Sequence, residues 1–205
     1  MVMIAKLLEI ASASLSTQSP ALITGCHELS ELLTKRNGFF AFENALLVLP
    51  ATGSDEIPGI GEWNSVTGWR QYYPASPPGT VFFAMDAFSS QFGIAEDGAV
   101  ERLNPETGET EHHAQGLSDW ATRILARYDF ETGWSVARDW QIRNRPLRPG
   151  QRLLPKKPFV MGGEYEADNL VAVPCREAMA KLGQLATQVR EVPDGTILTI
   201  HGWNP

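Results

Sequence analysis

The sequence predicts an α+β fold: a mixed, mostly antiparallel sheet containing a β-meander, flanked by helices. Three observations carry that prediction. Residues 81–111 read as three strand-like runs separated by two tight-turn signals. Two helical stripes follow, over 117–128 and 176–190. Helices and strands elsewhere interleave without the regular alternation of a doubly wound parallel sheet.

The elements follow in order. Residues 3–16 predict a first helix; Lys6 and Glu9 interrupt its apolar run and no basic leader precedes it, which argues against a secretory signal. Residues 26–35 predict a second, with Leu29, Leu32 and Leu33 on one face and Asn37-Gly38 as its stop. Phe39 to Phe42 and Ala45 to Val48 read as strands around Glu43-Asn44, and Pro50 to Pro58 as a loop. Trp63 to Tyr73 reads as helical, its aromatic residues Trp63, Trp69, Tyr72 and Tyr73 spaced for a core more than for an interface.

In the meander, Asp97-Gly98 supplies the positive backbone angles of a short hairpin turn. Asn104-Pro105-Glu106-Thr107-Gly108 supplies a second turn, with proline presetting one angle and glycine accepting a left-handed one. A two-residue loop at Asp97-Gly98 would set Glu101 opposite Ile94, a charge against an apolar residue. Leu117, Trp120, Ala121, Ile124, Leu125 and Tyr128 form one helical stripe, with Asp119 and Arg123 outside it in the favourable order. Thr132-Gly133 ends that element, and Trp134 to Asn144 predicts a shorter helix.

Proline and glycine break any pattern from Arg145 to Gly163. Asn169 to Val173 reads as a strand, and Arg176 to Arg190 as a helix burying Met179, Leu182, Ala186 and Val189. Pro193-Asp194-Gly195 turns the chain into a last strand, Thr196 to Ile200. The whole reads as one domain over 1–205, with a core at about 25–130 and an elaborated part at 132–205 packed on it.

With 43% hydrophobic and 20% charged residues, the composition is that of a soluble globular protein. No apolar run reaches the roughly 20 residues that span a bilayer. Two cysteines are too few for a disulfide framework, and a cytoplasmic protein is the expectation. Of 17 basic and 24 acidic residues, seven basic ones crowd into 138–157 beside the single acid Asp139. The rest of the chain therefore carries 10 basic and 23 acidic residues. That balance argues against nucleic-acid binding and suits a protein partner with a basic surface.

Candidate chemistry is thin. Cys26-His27 would lie about 100° apart on a helix, too divergent for a nucleophile-base dyad. His112-His113 on a strand point to opposite faces, and no Cys or His recurs at zinc-finger spacing. If the chain is extended after Gly163, Glu164, Glu166 and Asp168 share one face, an oxygen set that a hard cation accepts. The bland reading is a solvated loop edge. Gly59-Ile60-Gly61 lacks the spacing and lysine of a phosphate loop. The arginines of 138–157 read as covering apolar surface or pairing with the acidic body. No cofactor is implied. The meander is acidic, carrying Glu96, Asp97, Glu101, Glu106, Glu109 and Glu111 against only Arg102, and these six residues are the expected partner-binding face.

Several segments together resemble the SUKH superfamily, which includes the fungal cell-wall-assembly regulator domain and many bacterial immunity proteins. They are the leucine-rich helix running into Lys35-Arg36-Asn37-Gly38-Phe39, and the hairpin Ala41-Phe42-Glu43-Asn44-Ala45-Leu46. Phe82-Phe83-Ala84, Gln91-Phe92-Gly93-Ile94, Asp97-Gly98 and Pro105-Glu106-Thr107-Gly108 continue the likeness, as does the helix with Trp120, so that it spans roughly 25–130. The resemblance implies a mixed sheet flanked by helices that acts by binding, with no catalytic residues to carry over. Bacterial members neutralise unrelated toxins, many of them nucleases, whose basic grooves an acidic surface would suit. The expected function is thus a non-catalytic cytoplasmic protein-binding domain, an immunity protein that masks a toxin's active site. The alternatives are a small metal-dependent hydrolase using Glu164, Glu166 and Asp168, and a regulatory or scaffold module with a cellular partner.

Overall fold

A computed structural model describes residues 2–20, 23, 25–190 and 203–205. Six strands form one sheet in sequence order: β1 (Phe39–Ala41), β2 (Leu46–Val48), β3 (Val81–Met85), β4 (Gln91–Ile94), β5 (Val100–Leu103) and β6 (Thr110–Ala114). Each pairs antiparallel with the next, so the predicted meander extends over the whole sheet and the fold is α+β. The β1–β2 turn is tight because Phe42, Glu43 and Asn44 all take positive φ.

The loop at Asp97-Gly98 is longer than two residues. Ala95 and Ala99 close it, with Gly98 at φ +86° donating its N–H to the Ala95 carbonyl at 2.9 Å. The extra residue shifts the register so that Ile94 faces Val100 and Gly93 faces Glu101. Apolar residues then pair with one another, and the charge that the shorter loop would have set against Ile94 lies beside a glycine.

One face of the sheet is covered by α1 (Val2–Glu9), α2 (His27–Lys35) and α4 (Leu117–Ala126). Trp120 of α4 sets its ring edge-on to Phe83 and Phe92, at 5.0 and 5.9 Å. The α4 stripe ends sooner than expected. The backbone breaks at Arg127, and a separate short helix, α5 (Tyr128–Thr132), carries the Tyr128 ring into a stack on Phe42 at 5.2 Å. The first helix is also shorter than its predicted 3–16. Beyond Glu9 the serines bond to the sheet edge: Ser12 N–H donates to the Phe40 carbonyl at 2.8 Å, and its Oγ accepts from Phe40 N–H. Serine side chains compete for backbone groups in this way, which is why they leave helices.

On the opposite face, the aromatic run 63–73 is core. A four-residue helix α3 (Ile60–Trp63) and a 3₁₀ turn (Trp69–Tyr72) replace the single predicted helix, and Trp63, Trp69 and Tyr73 are buried, with Trp69 packed on the other two and edge-on to Phe82. Trp63 Nε1–H donates to Gln91 Oε1 at 2.8 Å. The long helix α7 (Cys175–Arg190) lies over this layer, burying Met179, Leu182 and Ala186 while Val189 is half-buried.

The remaining part is built from α6 (Trp134–Arg143) and a two-stranded sheet, β7 (Gln151–Pro155) with β8 (Leu170–Pro174). Strand β7 falls in the stretch that reads as patternless, because Pro149 and Pro155 flank it and its middle carries Arg152. Arg152 is fully buried. Its Nη1 donates to the carbonyls of Asn44 and Gln151, while Nε and Nη2 have no partner among the described residues. Desolvation pulls its pKa down to about 10. The small sheet meets the large one where Leu153 N–H donates to the Ala87 carbonyl at 2.8 Å. The predicted turn at 193–195 and strand at 196–200 lie outside the described residues.

A test of the α7 docking uses Gly183. A Cβ there would sit 2.5 Å from Tyr72 Cβ and 2.8 Å from its Cγ. Gly183→Ala favours the helix by about 1 kcal/mol, yet overpacking costs about 1–3 kcal/mol. The variant should be less stable by up to about 2 kcal/mol in urea unfolding; a stabilised variant would contradict this packing.

Candidate functional site

Consecutive turns of a meander lie at opposite ends of the sheet, and this separates the acidic residues into groups. Glu96 and Asp97 occupy the β4–β5 turn, exposed at one end. Glu106 and Glu109 occupy the β5–β6 turn at the other, four residues of strand away. The six acids therefore do not form one face.

The β5–β6 end borders an open groove of about 1570 Å³. Its floor is Asp86, from the β3–β4 loop, and Arg102 of β5. Phe88, Phe159 and Tyr165 make one wall, with Phe159 and Tyr165 stacked at 3.8 Å and Phe88 edge-on to both. Phe130 of α5, itself exposed, and Val136 of α6 line it from the helical side. Its acidic rim is Glu101, Glu109, Glu111 and Asp129, while Arg190 also lines the groove.

The rim acids are not equivalent. Glu101 is half-buried and accepts a hydrogen bond from Thr80 Oγ1 at 2.9 Å. Glu109, Glu111 and Asp129 are exposed. Glu106 is a correction to the expected contact face: it is buried, 5% exposed, because its carboxylate accepts the N–H groups of Phe159 at 3.0 Å and Val160 at 2.6 Å. It is a latch that ties residues 159–161 to the meander. Burial raises its pKa, and the two N–H bonds partly offset that rise.

Beneath the floor lies a buried charge cluster that the sequence did not single out. Asp86 Oδ2 accepts from Arg102 Nη2 at 3.0 Å, and the Arg102 guanidinium lies 5.6 Å from the Phe92 ring centre. Glu131 of α5 stands 3.7 Å from Arg102 and 3.8 Å from His113 Nε2. Among the described residues, neither Glu131 Oε2 nor His113 Nε2 has a hydrogen-bond partner. Burial lowers the His113 pKa to about 4 and raises that of Glu131. An ion pair would shift both the other way, so desolvation outweighs the attraction between the two. His112 and His113 diverge as expected, one exposed and one buried. A signal for Asp86 does exist in sequence: it is a lone acid between Phe82-Phe83-Ala84-Met85 and Ala87-Phe88. Asp129 and Glu131 carry none, since both read as ordinary solvated helix positions.

The other candidates are dispersed. Glu164, Glu166 and Asp168 are exposed; Glu166 is extended, but Ala167–Asn169 forms a 3₁₀ turn, so the chain is not extended as far as Asp168. Asp168 lies 3.5 Å from Arg143. Among the described residues no three His, Cys, Asp or Glu side chains converge where a metal could be held. Cys26 and Cys175 are buried, and burial raises both thiols. His27 is exposed and lies 3.8 Å from Glu31. His201 lies outside the described residues. The arginines of 138–157 cover and pair as expected, Arg138 and Arg145 lying over Trp134 and Trp140, and Arg143 bonding Asp139.

No family model matches the chain, and no curated protein matches it. A solved structure does. The crystal structure of Atu4351 from Agrobacterium tumefaciens is similar over 90% of this chain and 89% of that one, with a TM-score of 0.57 at 13% identity. The likeness is one of fold. No described helix is long and apolar enough to cross a membrane.

The buried cluster makes stability depend on pH with opposite signs. His113, its pKa lowered from 6.5 to about 4, binds fewer protons folded than unfolded between those values, so its contribution is lost as pH falls through them. Glu106 and Glu131, raised above 4.5, act oppositely: their contribution is present below 4.5 and lost as pH rises through the folded values. Urea unfolding across this range should show His113→Gln losing less stability on acidification than the parent. Glu131→Gln should lose less on the rise from 4.5. Parallel profiles for parent and variants would contradict the assignment.

Proposed function

We propose that the chain is a non-catalytic protein-binding domain of immunity type, which acts in the cytoplasm by covering the basic active site of a toxin. One observation carries this reading: the groove is open and, among the described residues, its exposed rim acids Glu109, Glu111 and Asp129 form no ion pair, while its floor arginine lies between Asp86 and Glu131. Potential over such a rim steers a basic partner and repels an acidic one. The groups that could make or break bonds are otherwise engaged. The thiols are sealed, the two adjacent histidines diverge, and Glu106 caps a turn. The likeness of residues 25–130 to SUKH immunity proteins points the same way, as an analogy of fold and motif.

The test is complex formation with the product of a toxin gene encoded beside this one. Glu109→Lys with Glu111→Lys should slow association by about tenfold at low salt and flatten its salt dependence, leaving dissociation little changed. Absence of a complex, or association indifferent to both reversals and to salt, would overturn the proposal.

A further inference from the structure

The two edges of the six-stranded sheet are treated differently. The β1 edge is already occupied. Residues 12–15 run beside it, with Ser12 N–H donating to Phe40 O at 2.8 Å and Leu15 N–H to Gly38 O at 3.0 Å. The β6 edge has no such cover among the described residues. Asn104 N–H donates to Glu109 O at 2.8 Å, which fixes the alternation along the ladder. Glu111 is then the residue bonded to Arg102, and the main-chain N–H groups of Thr110 and His112 point away from β5. No described group bonds to either from outside.

We propose that this edge takes up an extended, basic segment of a partner protein as a seventh strand. The inference rests on the partner-binding reading above and adds to it the mode of binding and the chemistry of the segment. Charge selects the occupant. Glu109 and Glu111 are two residues apart and lie on the same side of the strand, both exposed. An incoming strand meets them with alternate residues, so lysine or arginine at every second position is favoured. A second copy of this chain is disfavoured, because β6 against β6 would oppose the same acids. The irregularity at His113 adds to that barrier. With Val100 facing Ala114 and Glu101 facing His112, His113 is an extra residue, and bulges on edges resist indiscriminate pairing. What the described residues leave uncovered is a short template, Thr110 to His112, beside the groove that Thr110 and Glu111 line. Main-chain bonds from such a template give affinity, and the flanking acids give selectivity.

The test uses the ¹⁵N-labelled full chain and a blocked hexapeptide alternating lysine and threonine, with its glutamate counterpart as control. At saturation the amides of Thr110 and His112 should exchange with solvent about tenfold more slowly, while the glutamate peptide leaves them unchanged. His112→Pro removes an outward donor without touching the β5 ladder, a position where an edge strand tolerates proline. It should keep the parent's melting behaviour and weaken peptide binding by about fivefold. Glu109→Lys with Glu111→Lys, which leaves the backbone unaltered, should abolish it. Binding without protection of Thr110 and His112, or binding unaffected by His112→Pro, would overturn strand addition while leaving the acidic-rim reading intact. No binding of the lysine peptide would overturn strand addition too. Toxin complex formation judges the acidic-rim reading separately.

Discussion

The carboxylate of Asp86, 2% exposed, accepts N–H groups of Phe88 and Ser90 through one oxygen and the Arg102 guanidinium through the other. Those three bonds shape the β3–β4 loop, in which Ser89 is forced to φ +72°. The loop so held presents Ala87, whose N–H donates to Thr132 O of α5 and whose carbonyl accepts from Leu153 N–H of β7. Sheet, helices and the small second sheet thus meet at one loop that a single side chain organises. A buried carboxylate costs several kcal/mol to desolvate. Charge-assisted bonds of about 1.5–3 kcal/mol each offset that cost only while all are made. The groove inherits this dependence, since its floor is Asp86 and Arg102 and one of its walls starts at Phe88.

How far this was legible in the sequence depends on the range of the forces involved. The meander was readable because strand period and turn chemistry are local: Gly98 and Gly108 take the positive φ that their turns require. The α7 stripe and the aromatic core were readable for the same reason. Strand β7 was not. Its pattern is masked by flanking prolines and by Arg152, whose burial is decided by Asn44, 108 residues earlier. Helix α1 was overextended because helical periodicity continues past Glu9, whereas the serines beyond it find partners on β1 that only the folded chain supplies.

The groove shows the same limit. Acid content along the meander marked out six residues, but content is blind to which end of a strand a turn occupies. Glu96 and Asp97 are at the far end of β5 from Glu109 and Glu111. Glu106 is turned inward by two N–H groups from residues 53 and 54 positions later. Asp129, which does reach the rim, arrives there only because α5 breaks away from α4. Composition counted the acids, and topology decided which carboxylates stand on the groove rim.

Several arginines are spent on internal bonds. Arg70 donates to the carbonyls of Thr80 and Pro77, each at 2.9 Å, and Arg36 to those of Ser12 and Ala11. Arg152 is sealed between the sheets, and Arg102 lies under the groove between two buried carboxylates. A guanidinium suits such work, since its planar fork bridges carbonyls that no local element satisfies, and it cannot shed its charge. Irregular segments such as 64–80 are then held by arginine in place of ladder bonds. Arginines held in such bonds are not available to pair with Glu109, Glu111 and Asp129, and Arg190 is the other basic residue that lines the groove with them.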